Sequence, residues 1–200
     1  MPVTRHAIVL AGGSGRRLGG VDKPGLVVGG RSLLDVALAA VEHCTDVVVV
    51  GPRRAGLPPA VRQASEEPAG TGPVAALAAG LAALPGRARQ VLVLAADLPF
   101  ITSAATAELC TRLDDADTDA AFAVDSGGRL QYLLAAWRGP ALAARLTELT
   151  PRTNRRMRDL VPAHHVRVAL AGVQDCDTPE DLRAARRQLA RPPGSADQAR

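Results

Sequence analysis

Three short stretches of the chain are apolar without interruption: Ala7-Ile-Val-Leu-Ala11, Val47-Val-Val-Val50 and Val91-Leu-Val-Leu-Ala95. A strand with one wet face alternates apolar and polar residues, so short unalternating runs predict parallel strands buried on both faces. Between the runs the spacing becomes helical. Ser32-Leu-Leu-Asp35 pairs an N-capping Ser with an acid three residues on, and predicts a helix to about Cys44 that buries Leu33, Leu34, Val36, Ala37 and Val41. A second helix is expected from Pro73 to Leu84, stopped by Pro85-Gly86, and a third from Thr102 to Leu113. This alternation predicts an α/β fold with a doubly wound, mostly parallel, Rossmann-like sheet and right-handed crossovers. Ligands of such sheets gather at the carboxyl ends of the strands, so the loops after Ala11, Gly51 and Ala96 should share one rim.

The last third changes character. Asp119 to Val124, the turn Asp125-Ser-Gly-Gly-Arg129 and Leu130 to Trp137 read as a hairpin, an antiparallel addition to the parallel sheet. Asn154-Arg155-Arg156-Met-Arg158 reads as a helical stretch carrying three arginines. In Asp175-Cys-Asp177-Thr-Pro-Glu-Asp181, Thr178 is an N-cap, Pro179 the first helical residue and Asp181 the closing acid of a capping box. That helix should run to about Arg191. Pro192-Pro-Gly-Ser and the polar residues after it read as a disordered tail. The expected organisation is one domain over residues 1–191 and a tail over 192–200, with no internal repeat or linker.

Composition narrows the function classes. At 200 residues and 47% hydrophobic, the chain can bury a sizeable core without disulfides, but at 2% aromatic that core must be Ala, Val and Leu. The net charge of +4 is spread as Arg, with no basic tract, which argues against nucleic acid and suits polyanionic small substrates. Cys44, Cys110 and Cys176 are far apart and lack Cys-x-x-Cys spacing, the usage of reduced cytoplasmic thiols rather than a zinc site. No signal peptide is apparent, and no apolar run approaches the roughly 18 residues that span a bilayer. The histidines, His6, His43, His164 and His165, fall at element ends without catalytic partners.

Against 23 arginines the chain has one lysine, Lys23, at the end of Leu10-Ala-Gly-Gly-Ser-Gly-Arg-Arg-Leu-Gly-Gly-Val-Asp-Lys23. An ammonium on a slim stem reaches a phosphate oxygen beneath a tight loop, where the wide guanidinium fork does not fit. Gly12, Gly13, Gly15, Gly19 and Gly20 let backbone N–H groups converge on an anion, and Arg16 and Arg17 add charge to the same segment. The combination predicts a nucleoside triphosphate cradle. A solubilising lysine beside a flexible turn is the plainer alternative. Two phosphate motifs are excluded by spacing: Val21 stands where a Walker A loop needs Lys, and Leu18 where a dinucleotide fingerprint needs Gly.

On the same rim, Leu94-Ala-Ala-Asp97-Leu-Pro99 ends a buried strand with a carboxylate aimed at the crevice. Mg²⁺ takes oxygen ligands and is usually held by one or two carboxylates plus substrate phosphates, so Asp97 alone suffices chemically; a turn or cap Asp is the alternative. Glu66-Glu67-Pro-Ala-Gly-Thr-Gly72-Pro73 sets two acids before a glycine-rich loop that enters a helix, whose N-terminus offers unpaired N–H groups.

The run Leu-Ala-Gly-Gly-x-Gly-x-Arg-x-Gly-Gly-x-Asp-Lys closely resembles the molybdenum cofactor guanylyltransferases, a nucleotidyltransferase family, and the likeness extends over roughly residues 5 to 190. It implies a fold of the nucleotide-diphospho-sugar transferase type and transfer of GMP from GTP to the phosphate of molybdopterin. By the same resemblance, Leu10, Ala11, Gly12, Gly13, Ser14, Gly15, Arg16, Arg17 and Lys23 hold the nucleotide phosphates, with Lys23, Arg17 and Asp97 as the catalytic set. Asp97 is the Mg²⁺ ligand and Asp177, or less readily Asp175, a second carboxylate. The Gly-Pro loop holds base and ribose through Gly72 and an acid, with Glu67 preferred to Glu66; the family has Asp there. Arg155 and Arg156 fall on the acceptor side, although an ordinary solvated helix face would carry the same residues. The ending resembles the family's Asn-x-Asn-Thr-Pro-Glu-Glu, with Asp at both Asn positions. The implied partners are GTP and molybdopterin, with transient contacts to molybdoenzymes or other cofactor-biosynthesis proteins, no nucleic acid and no membrane, and the implied place is the cytoplasm. The rivals are other nucleotidyl transfers on the same fold, such as cytidylyl transfer to molybdopterin or to methylerythritol phosphate, or guanylylation of phospholactate. A catalytically silent nucleotide-binding or cofactor-delivery protein is the rival of another class.

Overall fold

Strand β1 (Arg5–Leu10) is buried along both faces from His6 onward, and the computed structural model, which describes residues 4–12 and 21–190, explains why. Ala7 and Val9 face one apolar cluster, and Ile8 and Leu10 face another. Helices α1 (Leu33–Ala40) and α3 (Ser103–Asp115) cover the first face, and α2 (Pro73–Ala83) and α4 (Gly139–Glu148) the second. The layering is therefore helix, sheet, helix, as the unalternating strands predict.

The remaining strands are β2 (Val27–Val28), β3 (Arg31–Ser32), β4 (Asp46–Val50), β5 (Val61–Ala64), β6 (Gln90–Ala95), β7 (Ala120–Val124), β8 (Leu130–Arg138) and β9 (His165–Ala169). Among the described residues, seven strands form one sheet in the order β5-β4-β1-β6-β8-β7-β9, and β2 and β3 pair separately. Every neighbour pair in the large sheet is parallel except those made by β8, which runs antiparallel to both β6 and β7. The hairpin expected at residues 119–137 is present, but it is inserted within the sheet rather than appended to it. Its return strand lies against β6, and the outer edge belongs to β9. Because β8 runs backwards, its first residues lie at the carboxyl rim beside the end of β6.

With so few rings, the interior is built from small side chains and closes tightly. Trp137 and Phe122 meet edge to face with centroids 5.4 Å apart, inside a core that is otherwise mostly Ala, Val and Leu. Gly80 lets α2 lie down on the sheet, since a Cβ there would stand 2.6 Å from Ile8 Cγ2 and 2.8 Å from Val50 Cγ2. Helix α1 is only 8 residues long, too short to persist by propensity, yet it buries Leu33, Leu34, Val36, Ala37 and Ala40. It stops at Ala40 rather than near Cys44. The N–H of Val41 bonds Leu38 and that of Glu42 bonds Ala39, three residues back, which tightens the chain into a turn before β4.

Helix α5 (Pro179–Ala190) lies over β2 through a small cluster of Val28, Leu33, Cys176 and Ala185. Its predicted box is formed: Thr178 Oγ1 accepts from the Asp181 N–H at 3.1 Å, and Asp181 Oδ2 accepts from the Thr178 N–H at 2.8 Å. The proposed tail, residues 192–200, lies outside the described residues. No helix among the described residues is long and apolar enough to cross a membrane.

Candidate functional site

The rim is assembled by the ends of β1, β4 and β6. Ala11 continues the ladder by donating to Val50 O at 2.8 Å, and Ala96 donates to Leu10 O at 3.0 Å. Gly51, at φ 149°, is needed for this approach: a Cβ there would lie 2.8 Å from the Ala11 carbonyl and 2.9 Å from Gly12 N. Leu10, Ala11 and Gly12 therefore stand at the mouth of the crevice. Gly13, Ser14, Gly15, Arg16 and Arg17 lie outside the described residues.

Lys23 opens a 3-10 turn over Lys23–Gly25, closed by Leu26 N–H donating to Lys23 O at 3.0 Å. Its ammonium donates to Asp97 Oδ2 at 2.6 Å and to Asp177 Oδ1 at 2.5 Å. Burial by itself would lower the lysine's pKa, but the charges of Asp97 and Asp177 and their hydrogen bonds reverse this and raise it, so the group stays charged. Three segments distant in sequence thus meet at one cation.

The segment carrying Asp177 is anchored to the rim by its backbone. Cys176 N–H donates to Asp97 O at 3.0 Å, and Asp177 N–H donates to Asp181 Oδ2 at 3.1 Å. Asp175 has its pKa raised, first by burial and then by the charges of Asp177 and Asp97. The donor set here is all oxygen. Two carboxylates on one ammonium leave an excess of negative charge, which suits a hard divalent cation shared with phosphate oxygens. Among the described residues no group of three or more His, Cys, Asp or Glu is arranged to enclose a metal by itself. The arrangement fits a cation held jointly with a substrate, not a closed structural site.

A neighbouring device was not legible in the sequence. Arg54, in the loop after β4, donates to both carboxylate oxygens of Asp22 at 2.5 Å and to Ala11 O at 3.3 Å. It ties the residue before Lys23 to the end of β1.

A cavity of about 540 Å³ opens from the rim on the β6–β8 side, and Gly72, Asp97, Tyr132, Asn154, Arg155, Arg156 and Asp175 all line it. Asp97 and the arginine pair, 58 and 59 residues apart, share one space. Gly72 lies here too, at the head of α2, beside Asn154. Of the two acids before it, Glu66 accepts from Gly70 N–H at 3.0 Å and closes the loop, while Glu67 is exposed. Neither lines the cavity.

The helical stretch expected at residues 154–158 is corrected. Asn154 has φ 56°, a left-handed conformation that ends a turn, and its N–H donates to Thr71 O at 2.8 Å. Arg155 and Arg156 follow in irregular backbone, and a short 3-10 helix covers Met157–Leu160, started by Asp159 accepting from Arg156 N–H. Arg155 and Arg156 keep their place on the cavity, while Arg158 falls outside it.

A second cavity, about 950 Å³, continues past Leu130, Gln131, Tyr132 and Asp175 toward the hairpin turn and also reaches Arg129, Arg167 and Gln174. No histidine lines either cavity: His6 pairs with Asp46 at 3.3 Å, and His165 Nδ1 meets Pro162 O at 2.9 Å. Cys44, Cys110 and Cys176 are free.

Comparison with known proteins places this geometry among nucleotidyltransferases. A family model described as the MobA-like NTP transferase domain matches residues 7–168. The chain is 38% identical over 149 residues to a molybdenum cofactor guanylyltransferase of Acidiphilium cryptum, covering 70% of this chain and 68% of that relative. It is 32% identical over 200 residues to a molybdenum cofactor guanylyltransferase of Mesorhizobium japonicum, covering 91% and 94%. Among solved structures, molybdopterin-guanine dinucleotide biosynthesis protein A of Archaeoglobus fulgidus superposes with a TM-score of 0.70 at 21% identity, over 92% of this chain and 97% of that one.

Proposed function

Because the chain belongs to the MobA-like NTP transferase family, we propose that it transfers GMP from GTP to the phosphate of molybdopterin and releases pyrophosphate. The observation that carries the reading is the lone lysine, held at 2.6 and 2.5 Å by carboxylates from two distant loops on the rim where such folds bind ligands.

In this reading the sheet divides the work. GTP lies over the ends of β1 and β4, along Leu10, Ala11 and Gly12 and the segment Gly13, Ser14, Gly15, Arg16, Arg17. The acceptor enters from the β6–β8 side, with its phosphate against Arg155 and Arg156. Lys23 stands where the halves meet. An oxygen of the acceptor phosphate attacks the α-phosphorus, the bond from that phosphorus to the β-bridging oxygen breaks, and pyrophosphate leaves with the electron pair. The attacking group is already an anion, so no protein nucleophile is required. Lys23, Arg16 and Arg17 neutralise the charge that develops on the departing phosphates. Asp97, joined by Asp177, would hold Mg²⁺, which when bound supplies a Lewis acid on the phosphate oxygens. Gly72 and the acid before it, Glu67 in the preferred register, hold base and ribose. The free cysteines fit a reducing, cytoplasmic setting, where contact with molybdoenzymes would pass the product on.

The test is turnover of purified protein with molybdopterin, Mg²⁺ and either GTP or CTP. The reading expects pyrophosphate and a guanine dinucleotide product with GTP only. Product from CTP alone, or no release with either nucleotide, would overturn it.

A further inference from the structure

The chain has one Trp, one Tyr and two Phe. Trp137 and Phe122 are at most 1% exposed, and Phe100 packs against the cluster under α5. Tyr132 alone is left 38% exposed, and it stands where the two rim cavities meet. A chain this sparing with aromatic rings has put its only phenol at the mouth of the site. An exposed ring in a concave site presents a flat apolar face to a ligand.

Resting on the reading above, we infer that Tyr132 is the platform on which the flat pterin of the acceptor stacks, and that it selects acceptors bearing such a ring. Sheet order sets the place of the ring. Tyr132 is on β8, which pairs with β6 (Leu94 opposite Leu134), and β6 separates it from β1. The ring therefore stands on the β8 wall of the cavity, while Gly72, assigned to base and ribose, reaches the same cavity from the head of α2, which packs on β1, β4 and β5. Asp97, Arg155 and Arg156 line the same cavity as Tyr132, so an acceptor whose phosphate sits at the arginines has this ring within the same space. The second cavity beyond is polar, with Gln174 and Arg167 on its wall, and suits the hydrogen-bonding edge of a pterin better than an aliphatic chain.

The backbone leading to the platform is tied down. Asp125 fixes the hairpin turn before it: the carboxylate accepts from Gly127 N–H and Arg129 N–H, each at 2.9 Å, and from Gln131 Nε2 at 3.2 Å. A hairpin ordered before binding loses little conformational freedom when a ligand settles beside it.

The experiment compares wild type with Tyr132→Ala, Tyr132→Leu and Tyr132→Phe. Two readouts are used: the KM for molybdopterin and for GTP in turnover, and direct binding of neopterin monophosphate against glycerol 3-phosphate. Loss of one aromatic stack should raise the molybdopterin KM of the Ala and Leu variants roughly 5- to 100-fold with the GTP KM unchanged. The Phe variant should behave as wild type. Wild type should prefer neopterin monophosphate, and the Ala and Leu variants should lose that preference while binding glycerol 3-phosphate as before. Ala and Leu variants with wild-type acceptor KM and preference, in an enzyme that does turn over, overturn the stack alone. If wild type does not turn over molybdopterin, the proposed reaction fails instead. A Tyr132-dependent preference for the pterin phosphate would then still support the stack, and its absence would overturn both.

Discussion

Lys23 Nζ lies 2.6 Å from Asp97 Oδ2, although 74 residues separate them in the chain. The contact joins the 3-10 turn at Lys23–Gly25 to the end of β6. In the proposed reaction this ammonium would meet the negative charge that builds up on the departing phosphates. Lys23→Ala should therefore lose about 2–4 kcal/mol of transition-state stabilisation, the scale of a single oxyanion donor, while the protein stays folded. Lys23→Arg should not recover the rate, because the planar fork cannot replace an ammonium 14% exposed between two carboxylates. Pyrophosphate release, with circular dichroism melting as the folding control, checks both variants. A near-normal rate for Lys23→Arg would refute the geometric claim.

Asp97 and Asp177 each set a carboxylate oxygen against the same ammonium, at 2.6 and 2.5 Å. Asp97→Asn should lower Mg²⁺ affinity and rate together, since an amide carbonyl is a poorer ligand than a carboxylate, and excess Mg²⁺ should recover part of the rate. The measurement is a Mg²⁺ titration of turnover. An unchanged half-saturating Mg²⁺ concentration would remove Asp97 from the metal site.

Arg54 gives Lys23 its footing by clasping Asp22, and the hydrogen bond from Arg54 holds the Asp22 carboxyl below its ordinary pKa against the opposing effect of partial burial. A carboxylate with a depressed folded-state pKa contributes stability above its unfolded pKa, near 3.9, and loses it as pH falls through the folded value. Asp22 is 58% exposed, so the pair should be worth no more than about 1 kcal/mol. Arg54→Ala should lower the melting temperature slightly at pH 7, and the gap from wild type should narrow below about pH 4. Its effect on turnover should exceed its effect on stability, because Lys23 loses its fixed neighbour. Melting curves across pH, set beside kcat at pH 7, would show a gap independent of pH if Arg54 acts only by packing.

What could be read in the sequence follows from burial. β1, β4 and β6 are central and apolar on both faces, so their residues alone announce them, and the segments that carry Lys23 and Asp97 come after two of these strands. β5 and β9 lie at the sheet edges, where Val61-Arg-Gln-Ala64 and His165-Val-Arg-Val-Ala169 mix polar with apolar residues and carry little signal. Helix α4 had a start signal, Pro140 in its first turn, which the emphasis on strands and loops passed over. The stretch at 154–158 was misjudged because arginine favours helices, while the left-handed Asn154 and its bond to Thr71 are tertiary facts. Arg54 looked like one arginine among many. Tyr132 could have been noticed by the logic that singled out Lys23, since each is the only residue of its type.

The acceptor side gives the last prediction. Arg155 and Arg156 leave the turn at Asn154 in irregular backbone, both exposed, with Arg155 Nε donating to Pro151 O at 3.2 Å. Exposed guanidinium groups on a cavity wall are free to form paired hydrogen bonds with a phosphate. Changing both to Ala should raise the KM for molybdopterin and leave that for GTP unaltered, since the phosphates of GTP are assigned to the ends of β1 and β4. Salt distinguishes how they act. Screening beyond roughly 8 Å at physiological ionic strength would erase an effect due to steering, whereas direct contacts should persist. Arg158, outside the cavity, is the internal control: Arg158→Ala should leave both KM values at wild type. If the double variant matched wild type for both substrates, or Arg158→Ala raised the molybdopterin KM as much as the pair, the phosphate would have to bind nearer the hairpin turn, where Arg129 and Arg167 line the second cavity.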